Sequence, residues 1–153
     1  AQAIVISRWA PSNQASAEIQ RLAERIIAAQ QDEIRTMQHW LEDRKQPVPA
    51  VGNAGEMHQH GHEALMPGML TPDQMASLQA ARGAEFDRIF LTLMIQHHNG
   101  ALSMVETLFG SHGAAQEDAI FKFASDVSAD QSTEVARMER MLAALPAETG
   151  GTR

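Results

Sequence analysis

Residues 87–104 place an adjacent His97–His98 pair inside an apolar run, with Met94 before it and Met104 after it. Buried imidazoles need partners, because an unpaired polar ring is costly away from water. Imidazole together with thioether, with no thiolate present, suits copper better than other common metals: the thioether favours Cu(I), and the imidazole serves either oxidation state. Vicinal histidines point about 100° apart on a helix, so one can ligate while the other orients or hydrogen-bonds. The competing reading is plain packing, since methionine at helical spacing is ordinarily core filler. A second group lies in Met57, His58, His60, His62, Met66 and Met69, within a stretch broken by glycine and proline. Core filling does not explain methionine in a linker, and the spacing matches no closed zinc motif. Copper capture is therefore expected there ahead of an inert linker, although zinc or nickel could bind the histidines alone.

These residues must be positioned by helices. Positions three, four and seven apart share a helical face. Asp87, Phe90, Met94, His97, Ala101 and Met104 form one stripe, and Leu91, Ile95, His98, Leu102, Val105 and Phe109 form its neighbour. A helix apolar on both stripes belongs between others. The punctuation predicts the tail of a helix over 1–9 and a long helix from Ala15 to Arg44. Thr71-Pro72-Asp73-Gln74 is a capping box that starts a short helix closing near Gly83. A helix over Glu85–Phe109 follows, with Gly110 as its C′ residue, and a last one over Glu117–Leu145. No segment alternates with period two, so the expectation is an all-α antiparallel bundle.

Residues 19–41 repeat in 120–142. Ile19/Ile120, Ala23/Ala124, Gln30/Gln131, Glu33/Glu134, Met37/Met138 and Leu41/Leu142 coincide. The shared pattern Gln-x-x-Glu-(Ile/Val)-x-x-Met puts an oxygen ligand and a thioether one turn apart, which is plausible metal chemistry when seen twice. Ala1–Ile6 resembles Asn99–Met104, so the first half is expected to be N-terminally incomplete, its own His–His pair falling upstream in a longer native protein. The divisions read as 1–46 (first repeat, partial), 47–70 (Met/His-rich linker) and 71–153 (second repeat), within one structural domain.

The 153 residues suffice for one core. A formal charge of −7 argues against a nucleic-acid backbone as partner. Without cysteine there is no disulfide, thiolate zinc site or cysteine nucleophile. No apolar run is long enough to span a bilayer, and no signal peptide is visible.

The motifs at Phe86, Asp87, Phe90, Leu91, Met94, Ile95, His97, His98, Ala101 and Met104, then Gln131, Glu134 and Met138, resemble the bacterial domain-of-unknown-function family numbered 305. The first half matches at Ala3, Gln30, Glu33, Ile34 and Met37, and Met66-Pro67-Gly68-Met69 before Thr71 resembles the inter-repeat segment of that family. The resemblance implies a ferritin-like bundle of two related halves in an extracytoplasmic protein (periplasmic, secreted or cell-surface), with copper binding the best-supported activity. Two departures stand out: the first His–His pair is missing, and Ile6 stands where the second half has Met104.

The leading expectation is a non-enzymatic protein for copper sequestration or handover, taking Cu(I), Cu(II) or both. Met57, His58, His60, His62, Met66 and Met69 would form a capture segment. Met94, His97, His98, Met104, Glu134 and Met138 would supply an inner metal site. A membrane anchor outside this sequence and self-association are compatible with it. Two rivals stay open. One is a helical interaction module with His and Met as core. The other is a ferritin-like di-metal oxidase, weakened because the chain has Glu33 and Glu134 but no Glu-x-x-His.

Overall fold

The computed structural model describes residues 1–49 and 66–146. Among them are five helices, α1 (Gln2–Arg8), α2 (Ala17–Asp43), α3 (Pro72–Ala80), α4 (Gly83–Gly110) and α5 (Asp118–Ala144), and no strand. The all-α expectation holds, with helix ends within two residues of those read from sequence except at α3, which stops at Ala80 rather than near Gly83, the residue that opens α4. One cap differs. Gly110 is the last helical residue, Ser111 follows in extended backbone, and the positive φ falls later, at Gly113 (79°).

The caps follow from local chemistry. Ser16 accepts from the Ile19 amide to open α2. Thr71 and Gln74 form the reciprocal capping box at α3, with Pro72 in the first turn. Helices α2 and α5 each hold 27 residues and start 101 positions apart, the same offset as the sequence repeat.

The core gathers at one end of the bundle. Ile6 on α1, Ile19, Leu22 and Ile26 on α2, Leu78 on α3, Phe86, Phe90 and Met94 on α4, and Met138 on α5 are fully enclosed. Helix α4 packs antiparallel on α5 over its whole length. Arg88 reaches the Pro146 carbonyl near one end, His98 meets Glu134 midway, and Phe109 lies 5.4 Å from Phe121 (ring centroids) at the other. Helix α1 packs along α2, with Ala1 reaching the neighbourhood of Glu33.

Polar side chains lock the connections to this core. The Asn13 amide donates to the carbonyls of Leu78, Gln79 and Ala81, at 3.3, 2.9 and 2.8 Å. Asp87, buried on α4, accepts the Ser16 amide with both oxygens and so places a carboxylate at the start of α2. Gln2 donates to the Leu70 carbonyl (3.1 Å) and accepts its amide (2.8 Å). Asn13→Ala would take from the Leu78 carbonyl its side-chain donor, while Arg82 still donates to those of Gln79 and Ala81, and a loss of about 1–3 kcal/mol is expected in chemical denaturation.

Candidate metal centre

His98 Nε2 lies 2.7 Å from Glu134 Oε2, with His98 fully buried and the Glu134 side chain 12% exposed. The sum of these residue numbers, 98 + 134 = 232, defines the antiparallel register, and Met94 and Met138 satisfy it too, since 94 + 138 = 232. The two methionines therefore form the next rung, one helical turn into the core, and both are fully enclosed. One turn the other way lies Gln131, buried, with its side chain hydrogen-bonded to Glu33 from α2. Glu33, Gln131, Glu134 and His98 thus form a polar layer where α2, α4 and α5 meet.

This layer is incompletely satisfied. The Nδ1 atoms of His97 and His98 and the Oε1 of Gln131 are buried without a hydrogen-bond partner. Orphaned polar atoms in a native interior call for an explanation, of which an ion or a water is the usual one. The donor set fits a soft cation: imidazole nitrogens beside an enclosed thioether rung, with a carboxylate oriented on the far nitrogen of one ring. Among the described residues no group of three or more His, Asp or Glu side chains is placed to hold a metal ion. A metal taken up here would therefore need thioether or external ligands as well.

Burial shapes the charges. The His97 imidazole is pushed down to about 4, first by desolvation, then by His98 and the Ala1 amino group. It is neutral at physiological pH, with a lone pair to offer. Burial likewise raises the Glu33 carboxyl, with Glu134 and Asp130 adding to the shift and the Gln131 hydrogen bond opposing it. The two groups act oppositely on stability. The unfolded chain protonates His97 near 6.5 and the folded one only near 4, so this contribution is lost as pH falls through that window. The Glu33 contribution is present below its ordinary 4.5 and is lost as pH rises through its higher folded value. A falling melting temperature from pH 6.5 towards 4.5 is expected, reduced in a His97→Phe variant; an unchanged slope would exclude His97 as its source.

The remaining sequence-derived candidates fall into three places. Met57, His58, His60 and His62 lie outside the described residues. Met66 is 51% exposed, and Met69 is partly buried beside α4, where its carbonyl accepts from Gln96. Met104 is 45% exposed and lies seven residues beyond His97, about 10 Å along the axis, away from the Met94–Met138 rung.

Two contributors were not read from sequence. Gln96 joins Gln74 to the strap before α3. Gly100 lets that strap touch the helix: Met66-Pro67-Gly68-Met69 forms a turn closed by the Met69 amide on the Met66 carbonyl, with Gly68 at φ 77°. This is the glycine conformation that a Pro-Gly turn of type II requires. A Cβ on Gly100 would lie 2.1 Å from the Pro67 oxygen and 2.4 Å from the Gly68 Cα. A glycine inside a helix, costly by propensity, was the available signal.

Residues 1–142 match the family described as Domain of unknown function (DUF305), and the chain belongs to that family. No curated protein matches the sequence. Among solved structures, a candidate secreted DUF305 protein from Streptomyces coelicolor superposes with a TM-score of 0.76 at 25% identity, covering 99% of this chain and 89% of that one. CopM in its Cu(I)-bound form gives 0.68 at 27% identity, over 93% and 86%. Its Cu(II)-bound form gives 0.69 at 29%, over 92% and 86%. A silver-bound form of CopM is also similar.

Proposed function

We propose that this chain is an extracytoplasmic, non-enzymatic copper-binding protein that sequesters the ion or hands it on through methionine and histidine. The observation that carries the reading is the pair of orphaned imidazole nitrogens beside the enclosed Met94–Met138 rung. Likeness to CopM, solved with Cu(I), Cu(II) and silver, supports the choice of metal. Likeness to a candidate secreted protein supports the location. Copper here is cargo. His97, neutral near pH 7, and His98, oriented by Glu134, would offer nitrogen, and the thioethers would favour the reduced ion. Met57, His58, His60, His62, Met66 and Met69 would form the capture segment of the same route.

Anaerobic Cu(I) titration against a chromogenic chelator tests this on three proteins: wild type, a variant with His97 and His98 changed to alanine, and one with Met57, His58, His60 and His62 changed to alanine. Loss of one equivalent in the first variant with retention in the second supports an inner site. Unchanged affinity and stoichiometry in the first would refute that site, and no competition in any protein would refute the copper reading.

A further inference from the structure

Spacing along the chain groups Met66 and Met69 with the histidines before them, but the fold sets these two methionines apart on a turn of their own. The Met69 amide donates to the Met66 carbonyl at 3.0 Å, which brings the two α-carbons within about 7 Å of each other. Pro67 and Gly68 form the tip, with Gly68 at φ 77°. That tip lies in the notch left by Gly100, where an added Cβ would meet the Pro67 oxygen at 2.1 Å. The residues that follow are tied from two sides. Gln96 on α4 donates to the Met69 carbonyl at 3.4 Å, and Gln2 on α1 exchanges two hydrogen bonds with Leu70. The backbone of the Met-x-x-Met pair is therefore fixed before any ligand arrives.

Packing does not account for the pair. Met94 and Met138 fill the core and are fully enclosed, whereas Met66 is 51% exposed and Met69 only partly buried. A half-exposed methionine gains little from burial and keeps its polarizable sulfur open to solvent. Two thioethers flanking one turn can chelate a soft monovalent cation. The pair itself holds no imidazole, carboxylate or thiolate, so it has little to offer Zn(II) or Cu(II). Holding the backbone in place also removes much of the ordering cost that a flexible Met-x-x-Met segment meets on binding.

We propose that Met66 and Met69 form a preformed soft-metal clip, a surface site that holds one Cu(I) or Ag(I) between two thioethers and discriminates against Zn(II). The clip is separate from the enclosed Met94–Met138 rung and from the histidines of residues 58–62. It deepens the copper reading and rests on it for the identity of the natural cargo; the site itself rests on the turn and the Gly100 notch.

The test uses the whole chain with carbon-13 at its methionine methyls, titrated with silver nitrate in chloride-free buffer and, separately, with zinc. The Met66 and Met69 methyl resonances, assigned through Met→Leu variants, should move together and saturate with one silver ion per pair, while zinc leaves them in place. Met66→Leu should abolish the Met69 response. Gly100→Ala and Gln96→Ala keep both thioethers but loosen the turn, and each should weaken silver binding at the clip at least tenfold; Gln96→Ala introduces no clash, so it serves if Gly100→Ala folds poorly. Unmoved methyls, equal movement with zinc, or a Met69 response that survives Met66→Leu would overturn the proposal. Unchanged silver affinity in a folded Gln96→Ala variant would overturn the preformed clip as well. The Met94 and Met138 methyls report the inner site in the same spectra. Movement there with Met66 and Met69 still would sink the clip and leave the inner site standing, and the reverse pattern would do the opposite.

Discussion

Gly100→Ala is expected to destabilise the protein, against the usual direction for this change within a helix. Alanine in place of an interior glycine ordinarily gains about 1 kcal/mol. Here the new methyl would sit 2.1 Å from the Pro67 carbonyl oxygen and 2.4 Å from the Gly68 Cα, both backbone, so no side chain can swing aside. Forcing atoms into a packed contact costs about 1–3 kcal/mol and occasionally more. With contacts to backbone this short the cost falls at the upper end of that range, and after the propensity gain a net loss of about 2 kcal/mol should lower the melting temperature by roughly 4–8 °C. Gly110→Ala is the control, since a methyl there meets nothing within 4 Å; it should be neutral or mildly stabilising. Gly68→Ala should resemble Gly100→Ala, because its φ of 77° and a contact of 2.7 Å to the Gln96 carbonyl both oppose a side chain. Lifting the strap also admits water near His97, whose carbonyl lies 2.9 Å from the Gly68 Cβ position. The His97 pKa should then climb from about 4 towards 6.5, which ring-proton NMR titration reads directly. Equal stabilities of Gly100→Ala and Gly110→Ala would show that the strap does not hold the helix.

This strap shows why some features were readable in the sequence and others were not. The helices were legible because their signals are local: the Thr71–Gln74 box, the prolines after α2 and the period of the apolar positions each act within a turn or two. The repeat was legible because identical residues recur at a fixed offset. The meeting of His98 with Glu134 was half legible. Each lay in a recognised motif, but the pairing depends on the register of α4 against α5, which no local signal sets. Met104 illustrates the limit of periodicity. It shares a stripe with Met94, yet the core ends between them, so one thioether is enclosed and the other is 45% exposed. Gly100, Gln2 and Asn13 act on backbone groups about 30–70 positions away, and nothing in their immediate sequence names those partners.

Glu134 offers the sharpest separation of structural from metal-binding roles. In Glu134→Leu both ring nitrogens of His98 would be buried without a partner, where one already is. That cost is about 3 kcal/mol, the upper end for an unsatisfied buried group and the lower end for a broken buried ion pair. It should appear as a fall of roughly 6–12 °C in melting temperature. Adding His98→Leu should recover much of the loss, because replacing both partners with apolar groups of similar volume is often neutral. Glu134→Gln behaves differently. Its amide oxygen still accepts from the imidazole, so stability should change little. The carboxylate is gone, however, and a carboxylate behind a ligating histidine raises the basicity of the metal-facing nitrogen; its loss costs roughly 10- to 100-fold in metal affinity. Cu(I) affinity at the inner site should therefore drop by at least tenfold in a protein whose melting temperature barely moves. If His98 is merely packed, the order reverses: Glu134→Leu still destabilises, and Glu134→Gln leaves copper affinity untouched. A His98 that serves the metal predicts affinity loss without stability loss, and packing alone gives no reason for that combination.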